Sequence, residues 1–149
     1  MTIFEYKSEL WLPKPRKDVF DFFSDARNLQ AITPPWLNFS IETPDPIVMQ
    51  PGAIIDYQLR LRGFSIRWQT EITVWDPPVR FVDEQRRGPY RLWVHEHRFE
   101  ARDGGTQTND LVRYAVPGGR LVHWLFVRRD VDRIFAFRRK KLMQLFGAK

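Results

Sequence analysis

Two-residue alternation, sustained over "AIIDYQLRLRG" (53–63) and "FSIRWQTEITVW" (64–75), most limits what this chain can fold into. Residues two apart on a β-strand point to the same face. In the second segment Phe64, Ile66, Trp68, Thr70, Ile72 and Val74 share one side, and Ser65, Arg67, Gln69, Glu71 and Thr73 the other. The pattern continues through "RFVDEQRR" (80–87), "YRLWVHEHRFEA" (90–101) and "TQTNDLVRYAV" (106–116), with turn signals "DPP", "GP" and "RDGG" between them. "WLNFSIET" (36–43) reads as a further strand before the turn "PDP". The result is an antiparallel meander of about six strands.

A sheet with one apolar face needs a cover. The segment from about Gly119 to Phe146 supplies one: Leu121, Trp124, Leu125, Val131, Ile134, Phe135, Leu142 and Leu145 recur at helical spacing. Arg128 and Arg138 fall on or beside that stripe. Each either reaches past it to water on its aliphatic stem or offers a guanidinium to an anionic or carbonyl group. At the front, "IFEYKSELWLP" (3–13) alternates as a strand. "PKPRKDVFDFFSD" follows as a helix with Val19, Phe20 and Phe23 on one face, and "ARNLQAITPP" as a second short helix. The expected class is α+β. One strand and two short helices precede a curved antiparallel sheet, wrapped around a long C-terminal helix with a cavity between them. With no repeat or linker, residues 1–149 read as a single domain.

Aromatic residues make up 15% of the chain, enough to fill a core and line a pocket. The absence of cysteine removes disulfides and thiolate chemistry. No leader or membrane-spanning run is visible, so a cytoplasmic protein is expected. The net charge of +6 is uneven. From Gly119 to Lys149, nine basic residues face only Asp130 and Asp132. A basic terminal helix, with "RRKKL" (138–142) near its end, suits a solvated face or peripheral contact with anionic lipid. Nucleic acid is not an expected partner, because no basic motif interleaved with stacking aromatics is present.

The order of elements, together with "LPKPRKDVFDFFSDARNLQAITPPWL" (12–37) and "FVDEQRRGPYRLWVHEHRFEARDGGTQTNDLVRYAVPGG" (81–119), resembles the START-like helix-grip superfamily, also called SRPBCC. Within it the chain is similar to the small bacterial polyketide cyclase/dehydrase-like or ligand-binding branch. The resemblance implies the helix-grip fold and a cavity. It carries no catalytic role to any position.

The stretch "LWVHEHRFE" (92–100) holds the best candidates for a site. Trp93, His95, His97 and Phe99 lie on one strand face. A His-x-His pair can give two imidazoles to a metal, with Asp110 as a third ligand. It can serve general acid–base catalysis, with His95 or His97 as base, Asp110 orienting it and Tyr57, Tyr90 or Tyr114 donating to a carbonyl or enolate oxygen. It can also form the wall of a pocket, or satisfy itself as buried polar structure. The preferred reading is a cavity for a lipid, quinone or polyketide-like molecule. Trp68, Trp93, Phe99 and Tyr114 are its apolar walls, and His95, His97, Asp110 and Arg138 orient the ligand. No metal is expected, because Glu100 and His123 are not spaced to complete a ligand set with the pair, and no cofactor, because no phosphate loop or dinucleotide fingerprint is present. A cyclase or dehydrase using His95, His97 and Asp110, and an interaction module using the basic helix, are the alternatives. The chain is expected as a monomer or homodimer. Trp36 and Leu37 are placed where a lid would close the pocket mouth.

Overall fold

The structure is a computed structural model that describes residues 1–147, so Lys149, counted in the terminal basic excess, lies outside the described residues. Strand β1 (Phe4–Leu12) leads into helices α1 (Arg16–Ser24) and α2 (Asn28–Ala31). Strands β2 (Ser40–Ile41), β3 (Ile54–Leu61), β4 (Phe64–Asp76), β5 (Arg80–Arg87), β6 (Leu92–Arg102) and β7 (Gly105–Ala115) follow. The chain then forms α3 (Gly119–Val122), one π-helical turn (His123–Val127) and α4 (Arg128–Phe146). The seven strands form one antiparallel sheet in the order β1-β7-β6-β5-β4-β3-β2. It curves around α4, and the whole is the helix-grip α+β arrangement expected from the sequence.

Local chemistry explains the hairpins. Arg62–Gly63 and Asp103–Gly104 all take positive φ, the geometry of two-residue turns whose twist matches paired strands. On β1 the predicted parity holds: Leu10 and Leu12 are buried while Lys7, Glu9 and Trp11 face out. Pro15 sits immediately before α1, whose Val19 and Phe20 enter the core. There they meet Phe81 and Phe99.

Three expectations change. The strand read over 36–43 shrinks to Ser40–Ile41, because Pro35–Leu37 close a 3₁₀ turn and Asn38 takes a left-handed φ of 46°. Strict alternation in β4 ends at a bulge between Ile72 and Val74. The extra residue turns Trp75, on the polar side by counting, inward against Phe20 and Phe81. Third, the long helix is not continuous. Its π-helical turn inserts a residue and shifts the buried stripe by about 100°. His123, Val131, Phe135, Arg138 and Leu142 are buried, whereas Leu121, Trp124 and Leu125, expected on the covered face, are exposed; Leu145, also expected there, is exposed in the last turn of α4.

Candidate functional site

The antiparallel register of β5, β6 and β7 sets Asp83 opposite His95, and His97 opposite Asp110. All four side chains point to the concave face. Each histidine bonds the carboxylate that stands opposite the other. His95 Nε2 is 2.7 Å from Asp110 Oδ1, and His97 Nε2 is 2.6 Å from Asp83 Oδ2. The imidazoles stack with centroids 3.6 Å apart, and Phe81 stacks on His97 at 4.1 Å. Helix α4 adds Arg138, whose Nη2 lies 3.4 Å from His97 Nδ1 and 3.6 Å from Asp110 Oδ1. Phe23 and Phe135 flank the guanidinium. Arg138 is only 8% exposed and so does not reach past the stripe to water.

The protonation pattern follows from the donors. A guanidinium only donates, so His97 Nδ1 must accept from it, and the ring proton lies on Nε2, which donates to Asp83. Burial lowers His97 to about 4, which keeps it neutral at pH 7. Burial acts to raise Asp83, yet the hydrogen bond and charge interaction with His97 outweigh it and hold the carboxyl below its usual range. The same contest at Asp110 is won by the Arg138 guanidinium and the His95 bond, again downward. The cluster therefore holds two ionised carboxylates, with the Arg138 guanidinium the fixed positive charge beside them. Arg138 Nε is buried with no hydrogen-bond partner among the described residues.

Beside this cluster lies a cavity of about 60 Å³. Phe22, Phe23, Leu29, Met49, Ile55 and Ile72 supply apolar walls, Asp83, His97 and Arg138 are ionisable neighbours on sheet and helix, and Asp25, Asn28 and Thr70 add polar groups. Tyr57, named above as a possible donor, also lines it. The other expected wall residues do not. Trp68 and Trp93 pack against each other and Tyr90 at one end of the core. Phe99 is packed among Phe20, Phe23 and Phe81. The Tyr114 hydroxyl is 2.8 Å from His123 Nε2. His95 and Asp110 stand behind His97 rather than at the cavity surface. Trp36 packs on Phe137 and Arg133, and Leu37 is buried, so neither lines the cavity. Arg128 bonds Asp132 and lies over the Tyr6 ring, away from the cavity.

Asp83 was missed from the sequence. The signal was present: Phe81, Asp83 and Gln85 share one strand parity, so an inward Phe implied an inward carboxylate. Asp83, His95 and His97 also bring ligand atoms within 4.8 Å of one another, the spacing of a metal site. The guanidinium at 3.4 Å from His97 supplies positive charge there already, and His95 and His97 each use Nε2 on a carboxylate. This donor set is a closed ion-pair network rather than an open metal site.

The fold and site together define a helix-grip protein with a partly apolar cavity over a buried histidine–carboxylate network. The sequence profile of the family described as "Polyketide cyclase / dehydrase and lipid transport" matches residues 12–137, and the chain belongs to that family. It is similar in structure to the ZhuI aromatase/cyclase from Streptomyces sp. R1128, with a TM-score of 0.75, 13% identity, and coverage of 98% of this chain and 94% of that one. Protein CV1439 from Chromobacterium violaceum gives a TM-score of 0.76 at 13% identity, covering 98% and 99%. Protein Ms6760 from Mycobacterium smegmatis gives 0.71 at 17% identity, covering 97% and 91%. Among curated proteins none matches the chain in sequence. No helix among the described residues is long and apolar enough to cross a membrane.

Proposed function

We propose that this protein binds a hydrophobic or aromatic small molecule, of lipid, quinone or polyketide-like character, in the cavity between α1, α2, the sheet and α4. Family membership supports hydrophobic ligand binding in general. The observation that carries the finer reading is the placement of Asp83, His97 and Arg138 beside mainly apolar walls. A cavity of about 60 Å³ is smaller than the ~150 Å³ that holds benzene or the ~300–1,000 Å³ of drug-sized sites. Ligand entry therefore displaces side chains, and the unbranched, half-buried Met49 is the lining group best suited to move.

The charge balance selects the polar end of the ligand. A carboxylate would add a third negative charge beside Asp83 and Asp110, at a buried site where screening is weak. A hydroxyl or carbonyl suits it better: Asp83 accepts an O–H, and the unpartnered Arg138 Nε donates to a ligand oxygen. A phenol or enol is thus preferred over a free acid.

A second reading, cyclase/dehydrase-type catalysis, rests on the 2.6 Å His97–Asp83 pair at the cavity wall. With His97 Nδ1 engaged by Arg138, the ionised Asp83 carboxylate is the available base and His97 holds it in place.

Calorimetry with 2-naphthol and 2-naphthoate tests the first reading. Naphthol should bind at least ~10-fold more tightly, and Asp83→Asn should narrow that gap, as expected when one charge is removed from a buried site. Equal binding of both probes, or of neither, would contradict it. In the same samples, enzyme-promoted deuterium exchange at the α-carbon of 2-tetralone, lost by ~100-fold in Asp83→Asn, would favour the catalytic reading. Exchange unaffected by that substitution would remove it.

A further inference from the structure

The shifted phase of the terminal helix leaves a surface that the cavity does not explain. Leu121 is 70% exposed, Trp124 66%, Leu125 59% and Phe126 45%. Residues 121, 124 and 125 share one helical face. Phe64, 73% exposed, stands at the neighbouring β3–β4 hairpin tip. Arg62 joins the two elements, bonding the Phe126 carbonyl oxygen at 3.2 Å and lying over the Phe126 ring at 4.9 Å. Leu121, Trp124 and Leu125 thus form one projecting apolar face, with Phe126 and Phe64 exposed on the side where Arg62 meets the helix. Isolated exposed apolar residues are ordinary, but a contiguous group of this kind marks an interaction surface.

Its surroundings are rich in arginine. Residues 57–70 hold Arg60, Arg62 and Arg67, residues 117–129 hold Arg120, Arg128 and Arg129, and neither segment contains an acidic residue. These six match the chain's whole net charge of +6, so the remainder sums to zero. On the same helix, Asp130 is tied to Arg62 at 3.0 Å and Asp132 to Arg128 at 3.2 Å. Near the other end of the helix, Arg139 is engaged with the Glu9 carbonyl oxygen. The basic apolar surface therefore lies at the start of the terminal helix, not at "RRKKL".

We infer that this face docks on an anionic lipid surface. Trp and Phe sit well at the headgroup boundary, Leu enters the acyl region, and a rim of arginines is attracted to negative headgroups. A second copy of the chain is a poorer occupant, because a symmetric contact would set this arginine-rich rim against its own copy. Single-stranded nucleic acid fits less well, because two of the most exposed side chains, Leu121 and Leu125, offer no ring for base stacking.

Co-sedimentation of the full chain with vesicles of phosphatidylcholine, with and without about 30 mol% phosphatidylserine, tests the inference. Binding should require the anionic lipid and fall at least ~10-fold when salt rises from about 0.05 to 0.5 M. Tryptophan emission should shift to the blue on binding. The Trp124→Glu and Leu125→Glu variants alter exposed positions and should keep the native circular dichroism spectrum while losing binding at least ~10-fold. The inference is overturned if anionic vesicles do not bind, or if binding survives both substitutions. It is equally overturned if sedimentation velocity shows a dimer that Trp124→Glu dissolves, or if the patch binds oligouridylate and not vesicles.

Discussion

His97 stands at the centre of the buried network, with Asp83 on one ring nitrogen and Arg138 facing the other. Its folded-state value of about 4 is depressed from 6.5. Between those values the unfolded chain holds more protons than the folded one, so stability rises with pH through that window and falls as pH drops through it. The loss is of order 3 kcal/mol at full titration. Asp83 and Asp110, both held below the ordinary carboxylate value, add a further loss below about pH 4, in the same direction. Urea unfolding at pH 7, 5.5 and 4.5 should show this decline. Nitrogen NMR of the ring should report neutral His97 carrying its proton on Nε2 at pH 5.5. A stability flat over this range, or a charged His97 at pH 5.5, would contradict the assigned hydrogen bonds. The paired histidines and Asp110 were legible from their parities. Asp83 was passed over because a strand rich in charges, "RFVDEQRR", reads as solvated unless Phe81 is used to set its inward face. Arg138 was legible by its position on the stripe, but its burial depends on which strands lie beneath it.

At the scale of elements, the sheet is held to its first strand by a close approach at Gly105. A Cβ there would collide with the Leu12 carbonyl oxygen and the Trp11 indole. That indole is held in place by its 2.8 Å hydrogen bond to the Arg102 carbonyl oxygen. Gly105→Ala should destabilise the protein by about 1–3 kcal/mol, the usual cost of forcing extra volume into a packed site. Urea unfolding checks this, and an unchanged midpoint would show that β1 and β7 can separate without cost. The strands were legible because alternation is a local property. The bulge in β4 and the π-helical turn were not, because each adds one residue whose benefit appears only in tertiary packing. That single residue in the helix changes the meaning of Leu121, Trp124 and Leu125 from core to surface.

For the whole molecule, the grip of the sheet on α4 does two things. It buries aromatic clusters at both ends of the core, and it leaves between them a small cavity bordered by Asp83, His97 and Arg138. The order of strands and helices, and hence the existence of a space under the helix, followed from sequence. Which aromatics fill that space and which line it depends on side-chain packing, and so Trp68, Trp93, Phe99 and Tyr114 proved to be packed away from it. The central claim is that a hydrophobic ligand enters here and meets the charged wall. The most direct measurement is a ¹H–¹⁵N correlation titration with 2-naphthol, read at assigned amides. The account predicts saturable shifts centred on Ile55, Thr70, Asp83, His97 and the backbone of Arg138, lost when Ile55→Trp fills the cavity. Shifts that are absent, or that gather around Phe64 and Trp124 and persist in Ile55→Trp, would contradict it.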